Sequence, residues 1–337
     1  YLMMGGYFAM ALTDFLQGII MIIGIVMMVA YVLTHPNVGG LSQGLAKLKQ
    51  IDPKLVGPVG PGGLLSLLSL VTLTSLGSWG LPQMVHKFYA IKDDASVKRA
   101  TTISSMFALL VAGGAYFTGA FGRLFLDNKM PVDVITGSPN ADMIMPILLG
   151  IALPEVLMGV ILILVLSASM STLSSLVLVS SSAISMDLIK GVLVPDMKKK
   201  NVMLVMRILC IVFVAISFAI AVTNKAGILT LMSFSWGTIA GSFLAPLLYG
   251  LDWRGVTKAG AWAGFLSGFG TSLVLAIARG MNSGDAPMIG AISMVVSIVV
   301  VPVVSLLTPK FSKEHIDAIY GEEEKKAKRS FVPELEA

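Results

Sequence analysis

Apolar runs long enough to cross a lipid bilayer recur eight times in this chain of 337 residues, at about 6–33, 63–86, 102–126, 146–188, 202–223, 227–250, 259–279 and 287–308. A spanning helix needs roughly 20 apolar residues. In hydrocarbon the backbone must satisfy its own polar groups, which leaves helices or closed barrels, and runs of this length select helices. Charged residues make up 13% of the chain and mean hydropathy is +0.86, whereas a soluble domain carries roughly 25% charged residues. The expected fold is therefore all-α and polytopic, with transmembrane residues 1–308 followed by a tail at 309–337 that contains the solvated run "EEEKKAKRS". Tyr1 already stands inside a helical pattern, so the sequence reads as cut at its N-terminus, with no signal peptide.

The net charge of +5 could suggest nucleic acid, but its distribution points elsewhere. One set of connections holds Lys87, Lys92, Lys98, Arg99, Lys190, Lys198, Lys199, Lys200, Arg207, Arg254 and Lys258, and the tail adds six more, 17 of the 24 basic residues in all. The alternate connections hold Lys47, Lys49, Lys54, Arg123, Lys129, Lys225 and Arg279. Basic residues accumulate on the cytoplasmic side, so the first helix is expected to run outward and the tail to lie in the cytoplasm. The expected location is the cell inner (plasma) membrane, multi-pass, and nucleic acid is not an expected partner. The Gly/Pro-rich connection 34–62 is then external. One cysteine, Cys210, and three scattered histidines, His35, His86 and His315, support neither a disulfide framework nor a metal cluster. No Ser/His/Asp constellation suggests an enzyme.

Polar residues at membrane depth carry the functional signal, because each must be satisfied or line a cavity. Asp14 lies in "GGYFAMALTDFLQG"; it is either a charge near a helix end or a group on an ion path. In "SLGSWGLPQMVHKFYAIKD", Gly77, Gly80 and Pro82 fall within six residues. Proline removes a backbone donor and clashes with the preceding turn, so the helix should kink or unwind there. An unwound stretch at this depth forms the binding sites of many carriers, and Ser78, Trp79 and Gln83 offer a hydroxyl, an aromatic face and an amide. An ordinary proline kink is the alternative. The third place is "SASMSTLSSLVLVSSSAISMDL", residues 167–188, with nine serines and one threonine. Small hydroxyl residues let helices approach closely and can bond back to their own backbone, which accounts for most of them. Ser171 and Thr172, however, follow Ala168 by three and four residues and so flank its carbonyl. Three neutral oxygens suit a hard monovalent cation such as sodium. Asp187 closes this helix at its cytoplasmic end.

On "GGYFAMALTDFLQ", "LGSWGLPQMVHKFYAIKD", "SASMSTLSSLVLVSSSAISMDL" and "FSWGTIAGSFLAPLLYGLDWRGVTKAGAWAGFLSG", the chain resembles the sodium/solute symporter family from residue 1 to about 308. It looks closer to the proline, pantothenate and short-monocarboxylate branches than to the sugar branch. The resemblance implies a LeuT-type inverted-repeat core entered at its fifth helix, with the second repeat at about 63–250 and peripheral helices at 259–308. It implies a sodium site that uses Ala168, Ser171 and Thr172, a role in the ion path for Asp14, and solute contacts from Gly77, Ser78, Trp79 and Pro82; the residues themselves add Asp187 to the expected ion path and Gln83 to the expected solute contacts. The first core helix, which supplies the remaining sodium ligands in the family, has no counterpart in this sequence. Ser78 also departs from the aromatic residue usual there in proline carriers. The implied activity is sodium-coupled symport of a small organic solute across the lipid bilayer, with sodium as coupling ion and no organic cofactor. The rivals are a proton-coupled or uncoupled carrier and a transporter-like sensor. The sequence sets no oligomeric state.

Overall fold

A computed structural model describes residues 2–88, 91, 93–132, 137, 139–223, 227–280 and 283–321, and they are almost wholly helical. Twelve helices are named among them: α1 Leu2–Thr34, α2 Leu41–Ile51, α3 Gly63–Val71, α4 Pro82–Phe88, α5 Asp94–Ala120, α6 Gly122–Phe125, α7 Ile144–Ala152, α8 Glu155–Ser182, α9 Lys199–Thr223, α10 Ile228–Asp252, α11 Lys258–Ala278 and α12 Ala286–Leu307. Among the described residues eight spans are long and apolar enough to cross a membrane, one for each run expected from the sequence.

The structure adds detail at three boundaries. The run at 146–188 is two helices, because Leu153 is extended (φ −111°, ψ 142°) and Pro154 caps α8. The residue before a proline avoids helical backbone, and the proline lacks the donor a continuing helix requires. Beyond Ser182 the helix continues to Leu193 in a widened π register. The Gly/Pro-rich connection 34–62 contains a helix, α2, which buries Gly44 and Leu48, and the Lys47 ammonium fastens the preceding turn by donating to the carbonyls of Pro36 (3.3 Å) and Asn37 (2.7 Å). The tail begins with a helix over residues 313–321, whose Tyr320 hydroxyl donates to the Gly250 carbonyl at the end of α10; the run "EEEKKAKRS" lies outside the described residues.

Span α5 starts earlier than its apolar run because Asp93 caps it, accepting from the Ser96 amide at 2.7 Å. The hydrogen bonds from Ser96 hold the Asp93 carboxyl below its ordinary range. A lowered folded value means the cap contributes above the unfolded pKa and is lost as pH falls through the folded one. Asp93→Ala is therefore expected to fray the first turn of α5, raising hydrogen exchange at Ser96 and Val97. Asp93→Asn, which still accepts, should leave exchange near wild type and remove its acid dependence.

Contacts divide the chain into two compact units, Tyr1–Pro61 with His86–Gly227, and Gly62–Val85 with Ile228–Ala337. In the first, α1 packs on α8 and α5, and α8 on α9. Its apolar core gathers Ile25, Met28 and Val32 of α1 with Leu157 and Ile161 of α8, together with Leu48, Phe121, Phe125 and Leu148.

The second unit is built on small residues. The buried face of α11 is Gly260, Gly264, Gly268, Ser272 and Ala276, a four-residue repeat that keeps one narrow stripe bare of side chain. Lipid tails are as apolar as leucine, so spanning helices associate through close packing and hydrogen bonds. A Cβ on Gly268 would fall inside the Gly241 carbonyl of α10, and one on Gly237 would stand 2.7 Å from the Cα of Gly290 on α12. Hydrogen bonds fasten the contacts: Thr238 with Ser272 at 2.7 Å, Ser297 to the Gly264 carbonyl at 2.9 Å, and Tyr249 to the Ile298 carbonyl at 3.1 Å.

Candidate functional site

The helix that carries the hydroxyl run is α8, and its middle holds the three candidate sodium ligands. The Thr172 hydroxyl lies 3.1 Å from the Ala168 carbonyl and donates to it. This back-bond holds two of the three oxygens at one place on the helix and leaves the lone pairs of Thr172 free to face outward. Ala168 and Thr172, with Ser169, Leu173 and Leu176, line an open concavity of about 430 Å³. Ser171 is half-buried on the adjoining row and outside that lining. Its carbonyl accepts from the Ser174 hydroxyl at 3.0 Å.

The register of α1 against α8 places the other polar groups. Gly24 meets Leu164, while Ile25, Met28 and Val32 cluster with Leu157 and Ile161, so the two helices run antiparallel. With a rise of about 1.5 Å per residue, Gln17 lies about 10 Å along α1 from Gly24, level with Ser171 on α8. Asp14 lies about 15 Å along, level with Ser174. The interface is thus apolar toward the Val32 end of α1, and polar residues of the two helices come level toward the other end.

Several of these polar atoms lack partners. Among the described residues, Asp14 Oδ1, Gln17 Oε1, Ser175 Oγ and Ser181 Oγ are buried and accept or donate no hydrogen bond. A buried unsatisfied group costs about 1–3 kcal/mol, so a cluster of them marks either strain or a place for water or an ion. Gln17 was missed in reading the sequence. Its signal was present, one turn from Asp14, but only the pairing of α1 with α8 gives it a level. Asp187 is exposed within the widened Ala183–Leu193 segment.

In the second unit the expected break is present. The helix starting at α3 widens over Thr72–Leu76, tightens to a 3₁₀ turn over Gly77–Gly80, and ends at Leu81, whose backbone is extended (φ −89°, ψ 116°) before Pro82 opens α4. It is an unwinding rather than a kink, because proline both lacks a donor and disfavours helical backbone before it. Gly77 and Gly80 are buried against Ala240 and Leu244 of α10, where a Cβ on Gly80 would stand 2.9 Å from the Leu244 amide nitrogen. Their absent side chains let the turn lie flat on α10. That seating leaves Trp79 60% exposed, with Pro82 exposed and Ser78 and Gln83 half-buried. The Ser78 hydroxyl donates to the Ser75 carbonyl at 3.0 Å.

A profile of the sodium:solute symporter family matches residues 1–268. The chain belongs to that family. It is 27% identical to the osmoregulated proline transporter OpuE of Bacillus subtilis (strain 168), over 98% of this chain and 65% of that protein. It is 30% identical to the sodium/proline symporter of Salmonella typhimurium (strain LT2), over 81% of this chain and 54% of the relative. To the sodium/pantothenate symporter of Haemophilus influenzae it is 29% identical, over 82% and 55% of the two chains. The chain thus spans between about half and two thirds of the length of these relatives. Its fold matches that of a Na+-coupled sialic acid symporter in a substrate-bound outward-open state, with TM-score 0.66 and 18% identity over 93% of this chain and 66% of that one. The fold is therefore that of a sodium-coupled symporter, and this is an integral membrane protein.

Proposed function

We propose that the full-length protein is a sodium-coupled symporter that carries a small carboxylate-bearing solute, of the size of proline, pantothenate or a short monocarboxylate, into the cell. The observation that carries this reading is the oxygen cluster on α8, with the Thr172 hydroxyl 3.1 Å from the Ala168 carbonyl above an open concavity. Ser171 supplies the third oxygen. This chain contributes one face of the sodium site, and the family resemblance assigns the remaining carbonyls to a helix outside it. Proline, pantothenate and sialic acid, named for its relatives, each carry a carboxylate, which is why that class is proposed. Solute contacts are assigned to the unwound segment: Ser78, Gln83 and the open face of Trp79 as groups that touch it, Gly77 and Pro82 as the residues that shape the backbone there.

The polar end of the α1–α8 interface supports an inward route for the ion. Asp14 and Gln17 on α1, with Ser175 and Ser181 on α8, offer unpartnered oxygens from the level of Ser171 onward, and Asp187 lies in the same direction along α8. In this reading the ion leaves the neutral cluster, passes a carboxylate and reaches the cytoplasm. The excess of basic residues in the connections on that side supports its being the inner one. Each sodium moving inward gains about 2.3 kcal/mol per 100 mV of membrane potential, and that energy drives the solute.

A proton could serve as the coupling ion instead, because the buried unpartnered oxygen of Asp14 is a ready proton acceptor. Replacing sodium by choline separates the two readings. In proteoliposomes of the full-length protein under an inward sodium gradient, uptake of the solute should fall to the uncatalysed level in choline. Unchanged uptake in choline, driven by an imposed proton gradient, would overturn the sodium reading. Trp79→Ala should weaken solute binding at least about tenfold, the loss of a desolvated aromatic contact, with little change in sodium affinity.

A further inference from the structure

The turn that joins α8 to α9 carries a charge pattern that transport does not use. Between Asp187 and Arg207 stand five basic residues, Lys190, Lys198, Lys199, Lys200 and Arg207, against two acidic ones, Asp187 and Asp196. Lys198, Lys199 and Lys200 are consecutive and exposed at the first turn of α9. That end of a helix is its positive pole, where cations are unfavourable, so the three lysines weaken the helix they begin. Among the described residues none of these three lysines lies within 4.0 Å of a carboxylate. Three adjacent exposed lysines without an ion pair form a basic patch open to an anion from outside the chain.

The rest of α9 says where that anion lies. Lys200, Leu204, Arg207, Ile211, Val214 and Phe218 fall on one stripe at helical spacing, and all six are exposed. The four apolar members make this stripe lipid-facing, in the span with a mean hydropathy of 2.7. Lys200 and Arg207 sit at one end, about 10 Å apart along the axis, within reach of one headgroup layer because a long basic side chain extends back toward it. Just before them Val192, Leu193 and Val194 are exposed at the end of the widened segment, where the Val194 amide closes the turn on the Ile189 carbonyl at 2.6 Å. Apolar side chains next to a lysine cluster bind where acyl chains meet phosphates.

We propose that this turn is a binding site for anionic phospholipid of the inner leaflet. Lys198, Lys199, Lys200 and Arg207 hold the headgroup phosphate, and Val192, Leu193 and Val194 rest among the acyl chains. The proposal rests on the membrane orientation adopted above but not on sodium coupling, and its test reads lipid rather than transport. The full-length protein, delipidated in mild detergent, is titrated with phosphatidylglycerol or phosphatidylcholine, and bound lipids are counted by native mass spectrometry. Wild type should retain phosphatidylglycerol in preference. K198Q/K199Q/K200Q should weaken it by a factor on the order of 100, as for three juxtamembrane charges, leaving phosphatidylcholine binding and helix content unchanged. The control K49Q/K54Q/K129Q, which removes three basic residues from the other face, should bind like wild type. Equal affinity of wild type for the two lipids would overturn the proposal. So would a lysine triple within about twofold of wild type, or an equal loss in the control.

Discussion

Ser171→Ala combined with Thr172→Ala raises the sodium concentration needed for half-maximal uptake by about 10- to 100-fold, the effect of losing roughly 1–3 kcal/mol of oxygen ligation. Two of the three oxygens this chain offers are removed, and the Ala168 carbonyl is left without the hydroxyl that now donates to it at 3.1 Å. Thr172→Ser is the informative companion. It keeps the hydroxyl and loses a methyl, so sodium affinity should stay within about threefold of wild type. Sodium titrations of initial uptake rates in the full-length protein measure both. If the double variant kept wild-type sodium affinity while Thr172→Ser changed it, packing rather than ligation would explain the hydroxyls.

Gly268→Leu has the largest expected effect on stability. Its position faces the Gly241 carbonyl and the Ser242 amide, backbone atoms of α10 that cannot swing aside as a side chain would. Even one added carbon must push α11 from α10, and leucine adds four. Separation also breaks the Thr238–Ser272 hydrogen bond of 2.7 Å and loosens the packing on α12. Overpacking costs about 1–3 kcal/mol in an ordinary core and more where backbone is the obstacle. A loss of about 3 kcal/mol or more is expected, read as a lowered midpoint in detergent unfolding. Gly270, where a Cβ would meet nothing within 4 Å, is the control: Gly270→Leu should leave the midpoint almost unchanged.

The eight spans were legible because bilayer thickness alone sets the length of an apolar run, and no knowledge of packing is needed. Pro154 shows where that reasoning loses resolution. Apolar residues continue on both sides of it, so hydropathy runs straight through a break that backbone stereochemistry enforces. Helix α2 was hidden for the opposite reason. The Gly/Pro-rich residues flanking it read as loop, although Leu41, Gly44, Leu45 and Leu48 keep helical spacing within it. The unwinding at Gly77–Pro82 followed from residue chemistry and was foreseen, whereas the seating of Gly77 and Gly80 on α10 was not. The same division holds at α8. The meeting of the Thr172 hydroxyl with the Ala168 carbonyl is local and could be read from spacing, whereas the place of Ser171 outside the concavity could not. The level of Gln17 with Ser171, and of Asp14 with Ser174, depends on where Gly24 lets α1 approach Leu164, which only the packed pair reveals.

Coupling between sodium and solute is the centre of this account, and equilibrium binding tests it without the complications of a transport cycle. Solute affinity of the full-length protein is measured across a range of sodium concentrations at constant ionic strength, with choline as the replacement, and sodium affinity is measured with and without solute. Linkage requires the two effects to be equal. Sodium should tighten the solute by about 5- to 150-fold, the usual range for coupled sites, and the solute should tighten sodium by the same factor. Solute affinity that is the same in sodium and in choline would contradict it.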